Sequence, residues 1–345
     1  MMRRLTSLYR PSYVTVLVYM LQSSEYRMRD YLRWYWRTLD FSRVMYRRSL
    51  ASTKAARLLK IALGVGMAIE VVMGLIFVAT ALFGDYDSGL WFGLALLIGY
   101  PIVWAHLVVV PLLLGRIFIV WPRDFRTIKK AQQIFADHSA VKIAVAGSYG
   151  KTSMKEILLS VLSEGKKTAA TPANKNVRSS HALFASKLKG DEEVLIVEYG
   201  EGAPGDIKRF VKLSQPNIGV ITGLAPAHLD RYKSLDNAAT DILYLASYLK
   251  KKPLYVNGES AALRPYVTKK MTSYTSKGIA GWKAKDVKIK PDGLSFRLQK
   301  GKITLDLKSG LIGKHQLGPL SVAVAVADEI GLSPKQIEAG VAKTK

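Results

Sequence analysis

Val141 to Glu156 reads VKIAVAGSYGKTSMKE, and this stretch decides the fold class of the chain around it. Ile143 to Ala146 is an apolar run with strand character, and Gly147-Ser148-Tyr149-Gly150 is a glycine turn. Lys151-Thr152-Ser153 then open an amphipathic helix with Ile157, Leu158 and Val161 on its apolar side. Strand, glycine loop and helix in that order build a phosphate site. The glycines let backbone N–H groups turn inward, the helix N-terminus contributes the positive end of its dipole, and Lys151 adds a mobile charge for the outer phosphates. Thr152 stands where its hydroxyl can reach Mg²⁺. The spacing is GxxGKT[ST]. It is shorter than the common GxxxxGK[ST] loop, because Val145 stands five before Gly150 where that pattern has its first glycine. The alternative is a glycine turn whose lysine is only solvated.

Downstream of the loop, strands and helices alternate. The patterns predict strands at Thr168–Ala170, Val194–Glu198, Ile218–Thr222 and Leu254–Asn257, and helices at Lys155–Ser163, Ser180–Lys187, Ile207–Leu213 and Asn237–Leu249. That order implies an α/β fold, a mostly parallel sheet with helices on both faces and ligands at the carboxyl ends of its strands. Asp286 to Lys308 carries two hairpin turns, Pro291-Asp292-Gly293 and Lys300-Gly301-Lys302, and reads as a small antiparallel appendage. Helices at His315–Ile330 and Ser333–Ala342 close the chain.

Upstream, the composition changes. The chain of 345 residues has no cysteine, hence no disulfide and no thiolate ligand or nucleophile, and 51 Lys+Arg against 26 Asp+Glu give a net charge of +25. Residues 1–60 hold thirteen Arg/Lys interleaved with aromatics, as in YRMRDYLRWYWRTLDFSRVMYRR, whereas 61–115 hold none. Helical spacing puts Tyr31, Trp34, Tyr35 and Leu39 near one face. The segment 1–60 is therefore expected to be a basic, aromatic amphipathic cytoplasmic stretch lying on anionic membrane lipids. Ile61–Phe83 and Leu90–Leu114, the second interrupted by Pro101 and Pro111, are each long enough to cross roughly 30 Å of hydrocarbon. Basic flanks on both sides place the two ends of this α-helical membrane region in the cytoplasm and the acidic turn Gly84-Asp85-Tyr86-Asp87-Ser88 outside. The expectation is a multi-pass inner-membrane protein with the domain that follows the spans in the cytoplasm. Glu70 and His106 lie within the spans and are expected to bond between helices or sit near helix ends. Residues 116–139 read as a linker helix and 140–345 as an ATP-binding domain. Nucleic acid is set aside as a partner, because membrane flanks and phosphate ligands account for the charge.

Polar groups collect at four strand ends: the phosphate loop, the loop Thr171-Pro172-Ala173-Asn174-Lys175-Asn176, Glu198 ending an apolar strand, and His228 with Asp230 after another. A carboxylate at a strand end beside a phosphate loop suits a Mg²⁺ ligand. A lone histidine such as His228 is more often structural. Taken together, AGSYGKTSMKE, TPANKN, IVEYGEGAPGDI, NIGVITGLAPAHLDRYKSLDN, YVNGES and LIGKHQLGPLSVAVAVA occur in the order found in the central ATPase domain of the Mur ligase family. The resemblance covers Ala140 to Lys345. Within the family it looks most like the branch that adds D-alanyl-D-alanine to a UDP-N-acetylmuramoyl tripeptide.

The resemblance implies ATP and Mg²⁺ as cofactors, a substrate carboxylate activated as an acyl phosphate, and an amine that displaces phosphate to leave an amide. It implies that Gly147, Ser148, Tyr149, Gly150, Lys151, Thr152 and Ser153 cradle the phosphates and that Lys151, Glu198 and His228 are catalytic. Thr152, Glu198 and His228 would hold magnesium, and Asn257, His315 and Gln316 would approach the nucleoside. It also implies a muramyl-peptide precursor, UDP- or lipid-linked, and an amino acid or dipeptide as substrates. Three features depart from the family: Ile242 stands where a carbamylated lysine would bridge a second metal, membrane spans replace the domain that grips the UDP-sugar, and the chain reaches Lys345 where a third domain is expected, so a partner chain supplying that domain is part of the expectation. The expected function is a membrane-anchored, ATP-dependent carboxylate–amine ligase of peptidoglycan precursor synthesis. The alternatives are a polyglutamate-type synthetase of the same family and a nucleotide-binding regulatory subunit without ligase activity.

Overall fold

The structure, a computed structural model, describes residues 2–44, 52–84, 88–172, 177–279 and 281–345. The chain divides into two compact units, Met1–Arg123 and Asp124–Lys345. In the first, α1 (Met2–Leu8), α2 (Tyr13–Ser23) and α3 (Met28–Arg37) precede α4 (Lys54–Phe83) and α5 (Ser88–Leu107). Then come α6 (Val109–Gly115), a π-helical turn at Arg116–Val120 and α7 (Trp121–Asp137). The helical runs Lys54–Phe83 and Gly89–Asp137 are long and apolar enough to cross a membrane. Of the acidic turn between the spans, residues 85–87 lie outside the described residues.

The aromatic, basic stretch differs from the expected surface helix. Tyr31 and Tyr35 are buried inside the unit, and Leu39, beyond the end of α3, is 76% exposed. Pro101 has no N–H to give to the preceding helical turn, and around it tyrosine hydroxyls donate to α5 carbonyls. Tyr9 donates to Ile98 O (2.6 Å), Tyr13 to Pro101 O (3.1 Å) and Tyr31 to Ala105 O (2.9 Å). Tyr31 and Tyr35 are thus core, bonded through their hydroxyls to Ala105 O and to Tyr13, whereas Trp36 of the same stretch is 59% exposed. His106 bonds to Ile102 O of its own helix at 2.8 Å and packs on Tyr35 and Trp36, and Glu70 is half-buried.

The second unit contains one ten-stranded sheet in the order β10-β9-β8-β7-β6-β5-β4-β1-β3-β2. Its strands are β1 (Val141–Ala146), β2 (Thr168–Ala170), β3 (Val194–Glu198), β4 (Ile218–Ile221), β5 (Leu254–Asn257), β6 (Thr272–Thr275), β7 (Gly278–Ile279), β8 (Trp282–Lys290), β9 (Gly293–Lys300) and β10 (Ile303–Ser309). Pairing is parallel from β2 to β6 and antiparallel from β6 to β10. The expected appendage is therefore continuous with the main sheet. The short β6–β7 pair, Tyr274 opposite Ile279, turns the chain back and carries the hydrogen-bond ladder onward.

Alternate residues of the central strands feed opposite faces, as a strand's period of two requires. Ile143, Val145, Val194 and Ile196 pack with α8 (Lys151–Leu162), α14 (Leu317–Glu329) and α15 (Pro334–Ala342). Ala144, Ala146, Leu195 and Val197 pack with α7, α9 (Arg178–Ala185), α10 (Asp206–Ser214), α12 (Leu235–Ile242) and α13 (Tyr244–Leu249). The four-residue α11 (Leu229–Tyr232) follows β4. The helix expected over Asn237–Leu249 is two, broken at Leu243. The expected linker 116–139 is no separate element either: Ala131 and Phe135 of α7 are buried in the sheet's core, so this unit starts at Asp124 and not at 140.

In the first unit α4 and α5 meet through glycines. A Cβ on Gly66 would enter the Trp104 ring, and one on Gly93 would stand 2.7 Å from Gly74 O, whereas one on Gly64 meets nothing within 4 Å. Gly66→Leu should lower the stability of the full chain in detergent by roughly 1–3 kcal/mol through overpacking, and Gly64→Leu should not. Thermal unfolding followed by tryptophan fluorescence checks the contrast, and equal effects would refute this packing.

Candidate active site

The order β3-β1-β4 places three consecutive carboxyl strand ends side by side, where chain direction across the sheet switches. Gly147 leaves β1 with φ +136° and Gly150 precedes α8 with φ +72°, both left-handed backbone that favours glycine. A side chain on Gly147 would strike Thr222 Oγ1. Thr222 and Gly223, at the end of β4, brace the loop: the Thr222 hydroxyl lies 2.5 Å from Tyr149 O, and Gly223 O accepts from Ser148 N at 2.9 Å. Tyr149 is half-exposed and covers Gly223.

Four charged side chains converge at the first turn of α8. Lys151 Nζ reaches back to Gly147 O (2.5 Å) and across to Glu201 Oε2 (2.9 Å), the glutamate side chain being 4% exposed. Burial holds Glu201 above the usual carboxylate range, although Lys151 and His228 both favour its ionised form. Thr152 Oγ1 donates to Glu198 Oε1 at 3.0 Å. Glu198 Oε2 is 3.5 Å from Lys155 Nζ, and both groups are buried. Thr171, at the start of the TPANKN loop, supports this glutamate by accepting its backbone N–H at 3.0 Å. The rest of that loop, residues 173–176 with Lys175, lies outside the described residues.

The residues fit a magnesium ion held jointly with phosphate. Thr152 Oγ1 and Glu198 Oε1 are 3.0 Å apart, which is about the spacing of neighbouring oxygens around an octahedral ion with 2.0–2.1 Å bonds. Among the described residues no three His, Asp or Glu side chains cluster to hold a metal by themselves. Such a site suits Mg²⁺, which is commonly bound through one or two carboxylates plus phosphate and water.

The other expected residues divide. Gln316 joins Thr152, Ser153, Glu156 and Ser160 around a cavity of about 450 Å³ beside the α8 N-terminus. His315 is exposed on the turn before α14. His228 is exposed, in left-handed backbone at the start of α11, and its charge bears on Glu201. Asn257 turns inward: Nδ2 donates to Thr222 O (2.9 Å) and Oδ1 accepts from Glu259 N (2.9 Å), so its amide supports the β4 loop from behind. Ile242 is fully buried in the core. Sequence reading passed over Thr222, Glu201 and Lys155. Lys155 had a usable signal, since it lies one turn after Lys151 and next to the apolar positions of the same helix.

A family model described as Mur ligase middle domain matches residues 145–327. The UDP-N-acetylmuramoyl-tripeptide–D-alanyl-D-alanine ligase of Buchnera aphidicola subsp. Baizongia pistaciae is 26% identical over 218 residues, 62% of this chain and 47% of that protein. The ligase of the same name from Escherichia coli K12 is 25% identical over 209 residues, 59% of this chain and 46% of that protein. The chain thus spans about half the length of the curated relatives it matches. Among solved structures, MurF from Acinetobacter baumannii matches with a TM-score of 0.57 at 22% identity, over 64% of this chain and 50% of that one. MurF from Thermotoga maritima in complex with ADP matches with a TM-score of 0.54 at 21% identity, over 62% and 52%. These likenesses concern the fold of the second unit's α/β body. Through the middle domain that its residues 145–327 match, the chain belongs to the Mur ligase family.

Proposed function

We propose that this chain is a membrane-anchored, ATP-dependent ligase that joins a carboxylate to an amine in peptidoglycan precursor synthesis. The observation that carries the reading is the convergence of Lys151, Thr152 and Glu198 on one helix N-terminus, behind a glycine loop, in a member of this family. The names of the curated relatives support a muramyl tripeptide as acceptor and D-alanyl-D-alanine as amine.

The residues have separable tasks. The glycine loop and α8 N-terminus receive the phosphates through backbone N–H groups. Lys151 is already extended along the loop and has only to exchange Glu201 for the β- and γ-phosphate oxygens. Thr152 and Glu198 would hold Mg²⁺, which when bound offsets the charge of the triphosphate and of the approaching carboxylate. The substrate carboxylate attacks the γ-phosphorus, ADP leaves, and the amine then attacks the acyl carbon and expels phosphate. Charge neutralisation and alignment are what the chain contributes, with no protein nucleophile required.

The membrane reading is supported by the length of the two apolar helices and by what they expose. On α4, Ile61, Val65, Ile69, Val72 and Ile76 are all exposed. A soluble core helix would bury such residues, and lipid accounts for them. The basic residues flanking the spans favour a cytoplasmic ATPase. A nucleotide-binding subunit without turnover is the second reading, favoured by Ile242 in place of a metal-bridging lysine.

Full chain purified in detergent should bind a non-hydrolysable ATP analogue with Mg²⁺. Lys151→Ala should weaken that binding by about 10- to 100-fold, as loss of charge-assisted hydrogen bonds implies. Calorimetry decides, and unchanged affinity would remove the phosphate-loop assignment. For the ligase itself, release of ADP should require UDP-muramoyl tripeptide, and hydroxylamine should trap the activated carboxylate as a hydroxamate before any amine is added. ATP binding with neither turnover nor hydroxamate would leave the regulatory reading.

A further inference from the structure

Lys155 is a buried cation for which the proposed chemistry has no use. It lies one turn beyond Lys151 on α8 and its side chain is 1% exposed. Its Nζ stands 3.5 Å from Glu198 Oε2 and 3.1 Å from Glu156 Oε1, the latter on a half-exposed side chain. Neither Lys155 Nζ nor Glu198 Oε2 makes a hydrogen bond among the described residues. Buried polar atoms are nearly always bonded, and a pair serving only the fold would close to bonding distance or be replaced by apolar side chains at little cost. Two facing buried atoms left open therefore point to a group that acts through its charge.

We infer that Lys155 is a positioning residue that makes the Glu198 metal site depend on bound nucleotide, so that the divalent ion enters with the triphosphate and not before it. This rests on the nucleotide-and-magnesium reading above. The buried charges at the site oppose one another in pairs, Lys151 against Glu201 and Lys155 against Glu198, while the Glu156 carboxylate beside Lys155 is half-exposed and screened by solvent. A dication approaching Glu198 alone meets a carboxylate already neutralised by an ammonium, in a buried place where solvent and salt screen the repulsion poorly.

The triphosphate changes that balance. It brings several negative charges to the loop and draws Lys151 off Glu201, and the ion then has phosphate oxygens to join Glu198 and Thr152. Lys155 also fixes which carboxylate oxygen is used. By facing Oε2 it leaves Oε1, the oxygen already beside the Thr152 hydroxyl, as the one presented to the metal. Glu198 is thereby kept oriented and unable to capture a free dication.

The test uses full chain in detergent with Mn²⁺ as probe, free Mn²⁺ being read from its solution paramagnetic resonance signal with and without a non-hydrolysable ATP analogue. Wild type should take up Mn²⁺ only with the nucleotide. Lys155→Gln, which keeps a donor and drops the charge, should bind Mn²⁺ without nucleotide on the order of tenfold or more tighter than wild type, as removal of a unit charge a few ångströms away implies. Lys155→Met serves the same purpose if thermal unfolding shows the glutamine variant misfolded, and Lys155→Arg should keep the nucleotide requirement. Equal nucleotide-free affinity in wild type and neutral variants overturns the inference, as does loss of the requirement in the arginine variant. Wild type that binds no Mn²⁺–nucleotide at all overturns the nucleotide reading itself. Normal Mn²⁺–nucleotide binding with unresponsive variants overturns only the role of Lys155.

Discussion

Lys151–Glu201 and Lys155–Glu198 remove four charges from water at one helix N-terminus, and much of the second unit's architecture serves to keep them matched. Leaving one partner of such a pair alone would cost roughly 3–5 kcal/mol. The helix carrying both lysines must therefore be held in register with the strand and loop carrying both glutamates. From below, α15 presses on it: a Cβ on Gly340 would stand 2.6 Å from Val161 Cα, and Ser160 Oγ donates to Gly340 O at 3.1 Å. Laterally, Thr222 ties the loop to β4, and Asn257 of β5 ties Thr222 in turn. Strands β3, β1, β4 and β5 thus act as one ruler along which the charges are spaced.

Part of that arrangement is legible in the amino-acid sequence. Apolar runs bounded by turns mark β3 and β5 to the residue, because buried parallel strands read as near-continuous apolar sequence. The phosphate loop is legible because glycine at two left-handed positions, followed by Lys-Thr at the head of a helix, is a combination that phosphate binding requires and an ordinary turn does not. Strands β6 and β7 are not legible. Six residues of Thr, Ser, Tyr, Gly and Ile carry no periodic signal, and what makes them strands is the neighbour across the ladder. Within the site, Lys151, Thr152 and Glu198 are found by motif, whereas Glu201 and Lys155 are not. Their importance is a matter of which charges share a buried volume, and that is set by contacts 50 and 43 residues apart in the chain. Asn257 is marked by a motif, and what only the structure adds is that its amide bonds Thr222 O and Glu259 N beside the loop.

The N-terminal unit shows the same limit for aromatic, arginine-rich sequence. Its pattern fits a helix lying on a lipid surface, and the charge placement on α3 agrees with that. What decides the fate of the tyrosines is a partner the pattern does not name. Tyrosine carries a hydroxyl that must be bonded when its ring is buried, and α5 supplies carbonyls on both sides of Pro101. These carbonyls give the preceding helices a docking edge, and Tyr13, Tyr35 and Phe41 pack together beside it.

Basic residues next to the apolar helices make up only part of the positive surplus, since Asp124–Lys345 alone holds 36 Lys+Arg against 20 Asp+Glu. Little of that excess is in the site, where Lys151 and Lys155 each face a carboxylate. It lies on solvated surfaces such as β8, where Lys283, Lys285, Lys288 and Lys290 stand opposite Gln299, Arg297, Ser295 and Gly293 of β9. Arg297, opposite Lys285, is balanced by Asp286 at 2.9 Å and Asp306 at 2.7 Å, so the excess on this face is carried by the lysines of β8. A positive field of this extent attracts polyanions from beyond contact distance and fades as salt rises. On the proposed reading, a site of paired charges inside a positive shell separates two tasks that one set of lysines would perform badly: the shell would raise the local concentration of phosphate-bearing ligands, and the paired interior would accept those whose charge and magnesium arrive together.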